Sequence, residues 1–143
     1  MRQPELCFKN DRTVNKKGAN MGVWMRARGR LKIVPEPTEQ MIKEYRVFSH
    51  YSIPDSYRPD EPFPNTWFFD NEKRLACLPG KFAEPSIWLD HLTKWFFDPR
   101  GYKLEGDPEI IDECDEGFWD TQINAELSKE YNEWLDKYHV NFY

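Results

Sequence analysis

Residues 23–34 alternate between two chemistries without a break, and no other segment restricts the fold as tightly. The odd positions carry Val23, Met25, Ala27, Gly29, Leu31 and Ile33, and the even positions carry Trp24, Arg26, Arg28, Arg30 and Lys32. Side chains on a β-strand point to opposite faces in turn, so a period of two sends each set to its own face. The spacing predicts one strand over residues 23–34. Its apolar face enters a core, and its other face holds four cations in a row about 20 Å long, at about 3.3 Å per residue. Like charges that close repel, so an anionic neighbour is expected beside them. It is either another strand or an external ligand.

A candidate strand lies at residues 102–111. Tyr102, Leu104, Gly106 and Ile110 share one side, while Lys103, Glu105, Asp107 and Glu109 share the other. Pro108 has no amide donor, which favours an edge position or an early end. If this strand pairs with the first, its acids meet the cations as a ladder, each opposite-charge pair contributing a few tenths to about 1 kcal/mol. If it does not, Arg26, Arg28, Arg30 and Lys32 are a candidate nucleic-acid-binding row that tracks phosphates. Nucleic-acid readers also stack bases on exposed aromatics, and only Trp24 shares the cation face.

The remaining pattern places the other elements. Pro35 and Pro37 end the first strand, and Thr38 is a helix N-cap before Met41, Ile42, Tyr45 and Phe48, giving a helix near residues 38–49. Residues 50–65 contain four prolines and form a long loop. Residues 66–69 and 74–78 flank an Asp70-Asn71-Glu72 turn as a hairpin. Pro85 opens a second helix whose stripe is Trp88, Leu92, Trp95 and Phe96, stopped at Asp98-Pro99. Residues 117–119 read as a short extended piece. Leu127, Tyr131, Trp134, Leu135 and Tyr138 mark a C-terminal amphipathic helix near residues 124–138.

The expected fold is α+β: a small antiparallel sheet covered by two helices, with a C-terminal helix. A ferredoxin-like split β-α-β arrangement, with the first and last strands adjacent, is one economical solution. Residues 1–20 are expected to be a flexible basic arm, and residues 21–143 a single domain with a helical tail at 124–143.

Charge is unevenly distributed. The net charge is −5, yet residues 1–34 sum to +7 and the remainder to −12. A basic start and an acidic body favour internal complementarity first and a polar partner second. Cys7, Cys77 and Cys114 form no close pair, which points to a reducing compartment. No apolar run reaches membrane-spanning length and no secretory signal is visible, so the expectation is an intracellular protein without membrane contact.

Between residues 105 and 120 the chain has eight acids and no Lys or Arg: Glu105, Asp107, Glu109, Asp112, Glu113, Asp115, Glu116 and Asp120. Such a surface is a solvated loop, a mimic of a phosphate backbone, or a cation site. Residues 112–117 lack the ligand spacing of an EF-hand. His50, His91, His139 and Cys77 are scattered, and no nucleophile elbow, phosphate-cradling loop or zinc pair is present. Neither an enzyme, nor a cofactor, nor a metal is expected. Tyr57 and Phe63, in the proline-rich loop, are candidate interface anchors; the alternative is that they staple the loop to the core.

Several stretches together resemble a family of small phage and prophage proteins. They are Met21-Gly22-Val23-Trp24, Thr66-Trp67, Trp88-Leu89, and Trp95-Phe96-Phe97 leading into Pro99-Arg100-Gly101-Tyr102-Lys103-Leu104-Glu105-Gly106. The likeness covers residues 21–118, and the chain departs from it in the basic arm and the helical tail. The resemblance implies a phage accessory protein acting in the host cytoplasm. Its expected role is that of a non-enzymatic, anti-CRISPR-like inhibitor of a host nucleic-acid-processing defence protein. The expected partner-binding residues are Glu105, Asp107, Glu109, Asp112, Glu113, Asp115, Glu116, Tyr57 and Phe63.

Overall fold

A computed structural model describes residues 23–57, 60 and 63–140. The basic arm at 1–20 and the last residues, Phe142 and Tyr143, lie outside the described residues. The elements in chain order are β1 (Trp24–Arg28), β2 (Lys32–Val34), α1 (Glu39–Tyr51), β3 (Trp67–Phe69), β4 (Leu75–Cys77), β5 (Gly80–Lys81), α2 (Pro85–Leu92), β6 (Lys103–Glu105), β7 (Glu109–Asp112) and α3 (Thr121–Lys137). The fold is α+β, with antiparallel sheets and a C-terminal helix.

The two alternating segments do pair, but neither is one strand. β1 runs antiparallel to β7, with Arg28 opposite Glu109, and β2 runs antiparallel to β6, with Lys32 opposite Glu105. Both segments break at the same level. Gly29 has φ +104° and Gly106 φ +137°, a region that L side chains rarely adopt. A Cβ on Gly29 would meet Pro108 Cα at 3.7 Å, and one on Gly106 would meet Leu31 Cδ2 at 3.1 Å and the Arg30 carbonyl at 3.3 Å. Two glycines facing the opposite strand thus let the ribbon fold over itself. The expected unbroken strands at 23–34 and 102–111 are corrected to four short ones, because a period of two carries no information about φ.

Beyond the kink, Leu31 and Leu75 exchange two backbone hydrogen bonds of 2.9 Å, and at the other end β5 pairs with Trp24 and Met25. β4 in turn pairs with β3. The ribbons therefore lie in the order β6/β7, β1/β2, β4/β5, β3, all antiparallel to their neighbours. That is the strand order of a split β-α-β arrangement, with α1 and α2 as the crossovers.

Alternation along β3 separates the two faces of this sheet. Trp67 and Phe69 face α1 and α2: Trp67 Nε1 donates to the Pro85 carbonyl, and Phe69 lies edge-on to Tyr45 and Phe97. Phe68 points the other way, edge-on to Tyr131 of α3 and tilted against Trp134. The C-terminal helix therefore roofs the second face, the one that carries Arg26, Arg28 and Arg30.

The helices begin where the sequence signals them. Thr38 accepts from the Met41 amide, Pro85 occupies the first turn of α2, and Asp120 accepts from the Ile123 amide at the start of α3. After Leu92 the chain continues as a π turn over Thr93–Phe97 and a 3-10 turn over Asp98–Arg100. The extra residue in the π turn rotates the face. Phe96 and Phe97 enter the core while Trp95 is half exposed, so the expected stripe through Trp95 is corrected. Residues 117–119 form a turn rather than an extended piece, with Phe118 fully buried.

Replacing Gly106 by Ala is expected to lower folding stability by about 1–3 kcal/mol, from backbone strain plus the contacts with Leu31 and the Arg30 carbonyl. Gly29→Ala is strained but uncrowded, so it is expected to cost less. Urea unfolding of both variants checks the order, and equal or inverted losses would contradict the shared kink.

Candidate interaction surface

The four cations of the first ribbon go to four different environments. Arg28 donates through Nε and Nη2 to Glu109 Oε1, at 3.2 and 2.7 Å, and through Nη1 to the Glu116 carbonyl. Arg30, past the kink, reaches between the β3–β4 turn and α3. Its Nη1 donates to Asp70 Oδ2 at 2.6 Å, and both terminal nitrogens bind the Glu130 carboxylate at 3.0 and 2.8 Å. The Glu130 contact holds the Arg30 guanidinium above its usual range. Asp70 is buried, and its Oδ1 also accepts from the amides of Glu72 and Arg74, so one carboxylate both builds the hairpin turn and fixes Arg30. Lys32 is exposed opposite Glu105, with no ion pair between them within 4 Å.

Arg26 is the exception. It is only 3% exposed, its guanidinium carbon lies 6.0 Å from the Phe118 ring centroid, and its enclosed Nε has no hydrogen-bond partner. Burial pushes its pKa down, opposed by the nearby Cys77 and Asp120. Leaving a buried charge uncompensated costs several kcal/mol. It lines a cavity of about 210 Å³ with Ala27, Ala76, Cys77, Ile123 and Leu127, under α3. The sheet is open at this point, because β1 pairs with β5 only at Trp24 and Met25 and the next link is at Leu31. In the gap the Cys77 sulfur contacts Thr66 Oγ1 at 3.3 Å, while burial raises the thiol to about 11.

The expected open row of cations is therefore corrected. Of the alternative nucleic-acid-binding set, Arg26 is buried, Arg28 and Arg30 are held by carboxylates, and only Lys32 is both exposed and without an ion pair.

The acidic residues divide as clearly. Asp112 Oδ1 accepts from the Cys114 amide at 2.7 Å, and Asp115 Oδ2 accepts from the Asp112 amide at 2.8 Å, so these two acids build the turn after β7. Glu113 continues the ribbon, exchanging contacts with the Trp24 backbone at 2.9 and 3.1 Å. Glu109 is taken by Arg28. Glu105, Asp107 and Glu116 are exposed, and no ion pair among the described residues engages their carboxylates. They flank the outer ribbon of the sheet, with Glu116 next to Glu109 across Arg28.

Tyr57 and Phe63 do not stand out as anchors. Phe63 is buried, its carbonyl accepts from Trp88 Nε1 at 3.0 Å, and the Tyr57 ring packs on it at 5.3 Å. They staple the loop to the core, which corrects the anchor expectation. The exposed aromatic beside the acids is Trp119, 52% exposed and edge-on to Trp24 at 5.5 Å, with Ile123 exposed one helical step further on. Its only sequence signal was its position at the end of the acidic run.

Of the scattered histidines, His91 meets a hydroxyl. His91 Nε2 lies 2.8 Å from Ser52 Oγ, a contact the sequence did not indicate. The imidazole is stacked on Phe48 at 5.6 Å and edge-on to Trp88 at 5.5 Å, which encloses it in packing. No group of three or more His, Cys, Asp or Glu among the described residues is arranged to hold a metal ion, and no helix among them is long and apolar enough to cross a membrane.

Compared with known proteins, the chain matches no family model, no curated protein and no solved structure.

Burial lowers the His91 pKa in the folded protein, with Asp55 opposing. A depressed histidine favours the neutral form, so its stabilising contribution is complete above the unfolded value of about 6.5 and is lost as pH falls below it. His91→Gln is therefore expected to flatten the decline in unfolding free energy between about pH 7 and pH 5, before the carboxylates dominate. Parallel wild-type and variant curves over that window in chemical denaturation would refute this assignment.

Proposed function

We propose that this chain is a binding protein without a catalytic role, of the kind phages use against host defence. In this reading its acidic edge occupies the nucleic-acid groove of a nucleic-acid-processing host protein. The observation that carries it is the asymmetry in charge use. Every arginine of the first ribbon is buried or held internally, whereas Glu105, Asp107 and Glu116 stay exposed and unpaired along one edge. A row of exposed carboxylates offers a basic groove the anionic pattern that it takes from phosphates. Trp119 supplies an exposed aromatic at the margin of that row, the residue type enriched in interface hot spots. The resemblance to small phage proteins supports the same reading. An anti-CRISPR-like target is its narrowest form.

The test is a triple charge reversal, Glu105→Lys, Asp107→Lys and Glu116→Lys. These sites are exposed and unpaired, so stability is expected to stay within about 0.5 kcal/mol per site. Wild-type protein on a column is expected to capture a nucleic-acid-processing protein from host lysate, with release by salt or competing duplex DNA, and the triple variant to capture none. Equal capture by both proteins, or no DNA-displaceable partner of the wild type, counts against the reading. Direct binding of DNA or RNA at low salt that disappears in Arg28→Gln would favour the basic ribbon instead.

A further inference from the structure

We propose that the cavity beneath α3 is a binding site for a small organic monocarboxylate with an apolar body, held by Arg26. Three observations converge on it, none of which involves the acidic edge. The first is the state of Arg26, 97% buried with Nε fully enclosed and without a hydrogen-bond partner. Buried guanidinium groups are ordinarily satisfied by paired acceptors, and a carboxylate presents two oxygens in a geometry that matches the guanidinium fork.

The second is local charge. Arg28 and Arg30 also line the cavity, but Glu109 neutralises the first, and Asp70 and Glu130 the second. Arg26 is the one of the three without an ion pair. Asp120 contributes only at a distance, since it makes no ion pair with Arg26 and one of its oxygens caps α3. One unpaired guanidinium offers a fork for one carboxylate, and the carboxylates already seated on Arg28 and Arg30 disfavour a phosphate dianion.

The third is the shape and chemistry of the walls. Ala27, Ala76, Ile123 and Leu127 give the cavity hydrocarbon walls, at a point where the sheet is unpaired. Apolar walls disfavour a strongly hydrated ion and favour a ligand that brings its own apolar surface. A closed apolar cavity of about 150 Å³ accepts benzene. The volume here, about 210 Å³, has room for an aromatic ring or a branched aliphatic chain together with its carboxylate.

Benzoate is the probe, with benzamide as its neutral isostere and inorganic phosphate as an ionic control. Thermal unfolding of the full chain is expected to show a saturable rise in Tm with benzoate, about 4 °C at tenfold excess over half-saturation. Benzamide and phosphate at the same concentrations are expected to give less than a quarter of that rise. Arg26→Met keeps the bulk and removes the charge, and is expected to abolish the response. Ile123→Trp keeps Arg26 and fills the cavity from α3, with the same expected loss, so the test survives if Arg26→Met does not fold. Amide nitrogen–proton spectra are expected to place the largest benzoate shifts at Arg26, Ala27, Ala76 and Leu127. A flat wild-type response, an equal response to benzamide or phosphate, a response retained in either variant that folds, or shifts centred elsewhere would each overturn the site.

Discussion

The shared kink at Gly29 and Gly106 sets the arrangement of everything charged in this protein. Without it, residues 23–34 and 102–111 would run as two straight paired strands, and Arg26, Arg28, Arg30 and Lys32 would stand in one exposed row. Because both strands bend at one level, the row is broken between Arg28 and Arg30. Arg28 stays on the outer ribbon with Glu109, while Arg30 is redirected to Asp70 and Glu130. The bend is enforced from both sides, since Gly106 packs against Leu31 and the Arg30 carbonyl, and Gly29 against Pro108. One backbone feature thus disperses a repulsive line of charge into two separately paired arginines, an exposed Lys32 and a buried Arg26.

The kink also decides what the outer edge offers. β6 and β7 form the outermost ribbon of the sheet, and exposed edges invite pairing with another chain. Pro108 removes one donor from this edge, the Gly106 bend interrupts it, and Glu105 and Asp107 add like charges. All three features oppose strand addition. A partner that meets this edge therefore engages it through side chains, with carboxylates outermost, and that geometry suits a basic groove better than another β-sheet.

How much of this was legible in the sequence follows from what each signal encodes. Caps and breakers are local, so Thr38, Pro85 and Pro99 located the helices within a few residues, and the Asp70 turn located the hairpin. The matching period of acids and cations correctly indicated which strands are neighbours, since Arg28 faces Glu109 and Lys32 faces Glu105. Alternation could not reveal the bends. Gly29 and Gly106 both fall on positions assigned to the apolar side, where a glycine reads as a small core residue rather than as a left-handed backbone. The π turn after Leu92 was equally silent, because it shifts Trp95 outward by adding a residue to a turn without changing the composition. The acids separated only in three dimensions: Asp112 and Asp115 look like Glu105 and Asp107 in sequence, yet their carboxylates bind backbone amides at their own turn.

The roof formed by α3 is where the paired and the unpaired arginine of the first ribbon meet. It is attached near its middle by Arg30 to Glu130, in its second half by Phe68 against Tyr131 and Trp134, and at its C-terminal end by Lys137 and Tyr138 to Glu39. The same docking buries Arg26 under Phe118 and sets Ile123 and Leu127 on the wall of the cavity. Two arginines from one strand face therefore act on one helix with opposite signs. Arg30 favours the docked helix because it finds two carboxylates there, and Arg26 opposes it because docking removes water from a charge with no acceptor. An anion under the roof would reverse the second effect, so occupancy of the cavity and the seating of α3 are thermodynamically linked.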